Sequence, residues 1–410
     1  MKVLGIIAEY NPFHNGHIYH IKRAKEITGA DYTVLVMSGN FTQTGNIAVV
    51  NKFERAKIVT KYGIDLVLEL PTIYATSSAE YFAYGAVNLL NSLGIVDSIC
   101  FGAEEKEITN IKAISKIILE NENDIYADIK KELKEGITFA AARQIAISKY
   151  LPKETDINYA EILSKPNNIL GIEYIKALYK LNSNIEPYVL YRDTANHSDT
   201  EVDNDKKIAS ATAIRNLLKS NEIERVKEYI PEEMYDKLIN SNICLNQDFY
   251  QILRYKIATM SKEEIKEING VTEGLENKII DANIHSKNYE ELVSNIKSKR
   301  YVETKIRRAL VNIILDIKKD TFNKCILGNL TYAHVLAMNE NGKKIISKIS
   351  KTSNIPLLTS INDKFIKKLD EDTLGMINID IKSSNIHSII SNKNLNFDFK
   401  NNLNINEQDT

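Results

Sequence analysis

The chain has 410 residues, 43% of them hydrophobic and 26% charged, and its 53 lysines and arginines nearly balance 54 aspartates and glutamates, for a formal net charge of −1. This balance belongs to a folded globular protein and excludes both a disordered polyelectrolyte and a protein that draws nucleic acid by global charge, so any such contact must come from a local patch. No run approaches the length of a membrane span, the N-terminus lacks the pattern of a signal peptide, and Cys100, Cys244 and Cys325 are odd in number and far apart, so a reducing, cytoplasmic setting is expected.

The first apolar run, residues 3–8, is short and continuous and predicts a strand buried on both faces, stopped by Asn11-Pro12. Beyond Gly16 the residues Ile18, Ile21, Ala24 and Ile27 recur at helical spacing. Three of the seven histidines, His14, His17 and His20, therefore fall at the turn and the first residues of a helix. Free N–H groups and the positive end of the helix dipole make this turn suited to phosphate, and Gly16 allows close backbone approach. Capping histidines are the plain alternative; zinc is a weaker one, because no cysteine pair or HExxH spacing accompanies them.

Residues 32–37 predict a second strand, ending in Ser38-Gly39-Asn40, and a helix begins near Asn51. Residues 66–70 predict a third strand, stopped by Pro71. Ser77 and Glu80 have the spacing of a capping box for a helix that runs to Gly94, and residues 98–101 predict a fourth strand, ending at Gly102. This alternation predicts an α/β fold with an open parallel sheet whose ligands bind outside the carboxyl ends of the strands. Residues from about 107 to 150 read as helical. Pro166-Asn167-Asn168 opens another helix, either asparagine serving as a cap or as a reader of a base or ribose. A strand over 187–191 delivers Arg192, a surface ion-pair former or a phosphate clamp, to a loop that contains His197. Ser210, Thr212 and Arg215 converge on one helix start, which favours an anion.

Residues from about 221 to 319 read mostly as helix. Within them Lys297, Lys299, Arg300, Lys305, Arg307 and Arg308, with Tyr301 among them and Glu303 as the only acid, form a local basic stretch expected to face RNA rather than to be a mere solvated face. A smaller α/β segment follows, then an asparagine-rich tail expected to be mobile; no internal repeat is present.

His14-Asn15-Gly16-His17 resembles the HxGH signature of the nucleotidyltransferase superfamily. The wider phrase from Ala8 to His17 resembles the bacterial tRNA(Met) cytidine acetate ligase family. Further matches lie at Val36 to Phe41, Asp65 to Pro71, Ser78-Ala79-Glu80, Phe101-Gly102, Pro166-Asn167-Asn168, Arg192 with His197, and Lys299-Arg300-Tyr301. The resemblance implies a Rossmann-like nucleotidyltransferase domain with a parallel sheet over 1–220, a mainly helical tRNA-binding domain over 221–325, a small α/β segment over 326–393 and a tail over 394–410. It implies an enzyme that makes acetyladenylate from ATP and acetate, with magnesium held by the phosphates, and passes the acetyl group to N4 of the wobble cytidine of elongator tRNA(Met).

The implied ATP site comprises Ile7, Ala8, Glu9, Tyr10, Asn11, Pro12, Phe13, His14, Asn15, Gly16, His17, Ile18, Tyr19 and His20, with Gly102, Asn167 or Asn168, and Arg192. His14 and His17 are the expected catalytic pair. Ser210, Thr212 and Arg215 match part of an ISSTxIR-like element that holds the departing phosphates. After Phe41 the family continues as a V-Q-R-G-E-P-A-like run, whereas this chain places Thr44 and Asn46 where the arginine and the acid stand. Two rival expectations are a nucleotidyltransferase for a small metabolite, which would not need the basic stretch, and a non-catalytic RNA-binding protein, which would not need the histidines.

Overall fold

The computed structural model describes residues 1–153, 157–192, 202–203, 208–272, 274–299, 301–327, 330–362, 366–367 and 369–400. Its centre is a seven-stranded sheet in the order β5-β4-β1-β2-β3-β8-β9, formed by β1 Val3–Ala8, β2 Tyr32–Ser38, β3 Leu66–Leu70, β4 Ser98–Ala103, β5 Glu186–Tyr191, β8 Ala333–Met338 and β9 Leu357–Leu358. A separate hairpin pairs β6 Val202–Asp203 with β7 Ile208–Ala209. Strands β1 to β5 are parallel, with Val3 opposite Tyr32 and Ala8 opposite Met37.

Alternation along the strands divides the interior in two. Val34, Val36, Leu66 and Leu68 face a core shared with the helices Ala79–Ser92 and Pro166–Lys180, whereas Leu35, Met37 and Val67 face one shared with α1, Asn15–Thr28, α2, Lys52–Thr60, and the helix Ala211–Lys219. A strand buried on both faces has no polar side to display, which is why these runs read as continuous apolar stretches. The expected capping box is absent: Ser78 holds the N-cap position, and Ser77 Oγ instead donates to Ile73 O (2.5 Å) at the close of the short helix Thr72–Ala75.

The segment 326–393, expected to stand apart, instead completes the sheet. β8 pairs antiparallel with β3, covering an edge whose five residues are all buried, and β9 pairs parallel with β8. The expected tail is also packed as far as Lys400. Phe397 lies 5.6 Å from Phe53, ring to ring, and Asp398 is 1% exposed with a carboxylate oxygen 2.6 Å from Lys52 Nζ. Lys52 is itself fully buried and bonds both oxygens of Glu69 (2.8 and 2.7 Å), while His334 Nδ1 lies 2.8 Å from Glu69. A buried ammonium requires such counter-charges, and they recruit the end of the chain to the sheet.

The mainly helical part includes the helices Glu232–Asn240, Tyr250–Thr259, Leu275–His285, Tyr289–Ile296 and Glu303–Leu315. The last of these presses on the loop after β2 at Gly45, which has φ +76° and where an added Cβ would lie 2.6 Å from the Arg307 backbone. Gly45→Ala combines a strained backbone with a clash and is expected to cost on the order of 2 kcal/mol, read as a lower urea midpoint at unchanged slope. Among the described residues no helix is long and apolar enough to cross a membrane.

Candidate active site

The chain leaves β1 through Glu9 and Tyr10 (φ 49°) and crosses the cis Asn11-Pro12 bond to His14, the N-cap of α1. This loop is fastened from two sides. Asn11 donates to Ile47 O (3.1 Å) and accepts from Val49 N (2.8 Å), and the fully buried Arg55 donates to Glu9 O (2.5 Å), Val50 O (2.9 Å), Ser38 O (3.2 Å) and Gly39 O. Arg55 thus satisfies carbonyls at the ends of two neighbouring strands that no ladder can reach. It escaped the sequence reading, because nothing in local spacing marks an arginine inside α2 as buried.

On this loop the rings of His14 and His17 stack at 3.5 Å between centroids, and Tyr10 flanks His17 at 4.5 Å. The His14 ring lies over Gly16, where a Cβ would come within 3.1 Å of it. His14 N donates to His17 Nδ1 (3.2 Å), which fixes the His17 tautomer: with Nδ1 accepting, the proton of the neutral ring sits on Nε2, ready to donate. Burial, with the Arg192 and Arg215 guanidiniums adding to it, pulls the His14 pKa down to about 3. Burial, His14 and Arg192 hold that of His17 well below the usual value, and burial with Arg192 brings His20 to about 4.

These rings are neutral at pH 7, and the shifts carry a stability signature. Each folded pKa lies below the unfolded value of about 6.5, so the stability they confer is present above that value and drains away as pH falls toward the folded one. Between pH 7 and pH 5 the ligand-free protein is expected to lose up to about 2 kcal/mol for each such histidine. Urea titrations at the two pH values check this.

The opposite wall comes from β4 and β5. An added Cβ at Gly102 would lie 2.7 Å from Arg192 Cδ, so only glycine leaves room for the arginine to cross the strand end. Arg192 Nη1 donates to Asn167 Oδ1 (3.3 Å), and Asn167 Nδ2 donates to Glu104 Oε1 (2.7 Å). Asn168, the other candidate of the pair, is 2% exposed. Its Oδ1 accepts from Glu104 N (2.9 Å) and Glu105 N (2.8 Å), and its Nδ2 donates to Ile162 O (3.2 Å). Those bonds tie the amide oxygen to the backbone of the loop after β4 and one amide N–H to the helix Tyr159–Ser164. Neither asparagine is the cap; Lys165 is, with Pro166 in the first helical turn. A third wall is the start of the helix Ala211–Lys219. Ser210 Oγ caps it by accepting from Ala213 N (3.0 Å), and Arg215 is braced by Asn11 O (2.7 Å) and Thr212 Oγ1 (3.0 Å).

Several expected contributors lie elsewhere. Tyr19 is 53% exposed, opposite the buried Ile21 and Ala24 on α1, whereas Phe13, though fully buried, stays beside the pair with its ring stacked 5.8 Å from that of His17. Asn15 turns away, donating its N–H to Tyr229 O (2.8 Å) and its Nδ2 to Glu228 O (3.0 Å). Ile7, Ala8 and Ile18 are half-buried and pack against the sheet's cores. The basic stretch is not an open face. Tyr301 is 3% exposed, with Lys305 Nζ 5.5 Å from its ring centre. Arg307 bonds Asn46 (2.8 Å), Glu303 (2.7 Å) and Glu290 (3.2 Å), and Arg308 reaches Gln43 O (3.2 Å). Lys297 pairs with Glu303 (3.2 Å), and Lys299 remains exposed. Arg307 and Arg308 thus join the helical part to the loop that carries Thr44 and Asn46. Arg300 and His197 lie outside the described residues.

A mainly parallel sheet whose first strand-to-helix turn carries a stacked histidine pair, with two arginines nearby, defines a nucleotidyltransferase of the HIGH class, and the family model described as HIGH Nucleotidyl Transferase matches residues 1–402. Within that class the chain is 41% identical over 407 residues to the tRNA(Met) cytidine acetate ligase of Clostridium acetobutylicum, covering 97% of each, and 40% identical to that of Thermosipho africanus, covering 90% of this chain and 87% of the other. Two crystal structures of Thermotoga maritima TmcAL, one bound with alpha-thio ATP and one apo, superpose with TM-scores of 0.85 and 0.88 at 32% identity over 95% of each chain. The chain belongs to the tRNA(Met) cytidine acetate ligase family.

Proposed function

We propose that the protein is a cytoplasmic ATP-dependent ligase that activates acetate as acetyladenylate and acetylates N4 of the wobble cytidine of elongator tRNA(Met). The observation that carries this reading is the stacked, neutral His14–His17 pair, with the Arg192 and Arg215 guanidiniums near enough to depress the His14 pKa, in a chain that matches ligases of this name along nearly its whole length. Three polar atoms in the same stretch, Tyr10 Oη, His14 Nδ1 and His20 Nε2, are buried without a hydrogen-bond partner, as in a site that its ligand completes.

In the first step an acetate oxygen attacks the α-phosphorus of ATP in line and pyrophosphate departs. His17 Nε2–H and His14 meet the charge that builds on the α-phosphoryl oxygens, and Arg192 and Arg215 hold the phosphates. The Ser210–Thr212 helix start and Asn167 complete the cradle. Among its described residues the protein offers no open carboxylate cage, so the ATP phosphates would carry the magnesium, which would offset their charge. The one grouping of metal-ligating side chains among the described residues, Glu69, His334 and Asp398, is buried with the Lys52 ammonium already among its oxygens. In the second step the cytidine amine attacks the acetyl carbonyl, AMP leaves and one proton is released.

The test is nucleoside mass spectrometry of unmodified elongator tRNA(Met) after incubation with protein, ATP, magnesium and acetate. Acetylated cytidine that requires both ATP and acetate is the expected result. Pyrophosphate release without it would mean a different acceptor, and absence of both would overturn the activity.

A further inference from the structure

The carboxyl end of β1 has a neighbour on each side, β4 and β2. The nucleotide-side groups Gly102, Asn167 and Arg192 all belong to the β4 side. On the β2 side, across Arg215, lies a cavity of about 310 Å3. Arg215 is the shared wall: it lines this cavity while its Nη1 donates to Asn11 O in the histidine loop. Two parts of the chain build the rest. The loop after β2 and the helix Ala211–Lys219 supply one side, and residues 244–246 with the start of the helix Glu303–Leu315 supply the other.

Resting on the function proposed above, we infer that this cavity receives the unpaired acceptor nucleoside of the RNA. Its volume is at the low end for small-ligand pockets, about 300 Å3, which suits a single nucleoside. The apolar surface open to the face of a base comes from the half-buried Leu245, backed by the buried Ile47 and Cys244. The hydroxyls of Thr44 and Thr304 and the amide of Asn216 offer donors and acceptors to its edge. Beside the cavity the more exposed Lys219, paired with Glu290 (2.8 Å), is the cation placed to meet a flanking phosphate, whereas Arg307 is taken up by Glu303, Glu290 and Asn46 and the Glu303 carboxylate also lines the wall. A nucleotide on the β4 side and a base on the β2 side then meet over His14 and His17. The fold places the acyl donor and its acceptor on opposite flanks of one strand end.

Thr304 and Asn216 are exposed and stand on opposite walls, so each can be enlarged without disturbing the core. In Thr304→Trp and in Asn216→Trp, acetate-dependent ATP–pyrophosphate exchange should stay within about twofold of the unsubstituted protein, while acetyl transfer to tRNA falls at least about 20-fold. Transfer at the original rate in both variants would overturn the assignment, as would exchange that falls in step with transfer, since the cavity would then serve activation. Failure of the underlying activity shows separately: the unsubstituted protein itself would then make no acetylated cytidine.

Discussion

His17→Ala is expected to lower acetate-dependent ATP–pyrophosphate exchange by about 100- to 1,000-fold, the range for removing one preorganised donor from a developing oxyanion. The magnitude follows from geometry. His17 Nδ1 is committed to the His14 N–H, so the ring has one orientation and one tautomer, and stacking on His14 with Tyr10 alongside prevents it from turning. A donor that need not reorganise contributes most in a site shielded from water. Because the ring is neutral, the loss should appear in kcat with little change in ATP affinity. His17→Asn, which restores an N–H without the imidazole, should recover part of it. A variant that keeps full exchange would remove His17 from the reaction.

Lys52→Met should destabilise the fold by about 3–5 kcal/mol, the cost of removing one partner from a buried ion pair. Burial alone would lower the Lys52 pKa, but the carboxylates of Asp398 and Glu69 outweigh it and hold the ammonium charged. Without it two buried carboxylates face each other beside His334. Asp398→Asn should cost less, because Glu69 still pairs with the lysine. The double variant should depart from additivity by more than about 0.5 kcal/mol, as coupled neighbours do. Urea denaturation of the three variants gives all the terms.

Much of this molecule was legible in its sequence, for local reasons. The runs at 3–8, 32–37 and 66–70 announced strands because burial on both faces leaves no polar residue to interrupt them. The histidine turn announced itself because three imidazoles within seven positions have few other uses. Partnerships set at long range were hidden. Glu69 looked like the end of a strand, yet it meets Lys52, His334 and, through the lysine, Asp398. Asn168 looked equivalent to Asn167, yet the backbone of residues 104–105 takes its amide oxygen and Ile162 O an amide N–H. The basic stretch looked open because charge runs usually are, whereas Tyr301 is buried, Arg308 is half-buried against Gln43 O and Arg307 reaches across to Asn46. The unusual residues of the β2 loop thus meet the helical part of the chain.

The place of β8 has a consequence for synthesis. On the ribosome β1 to β4 emerge first and can assemble at once, but the flank of β3 that β8 will cover stays bare until residues 333–338 have been made, more than 260 positions after Leu70. During that interval a nascent chain displays an apolar strand with unpaired amides, a template for adhesion between neighbours on a polysome. Yield in a cell should therefore depend on how quickly translation reaches residue 338, and on chaperones that shield the β3 edge until then.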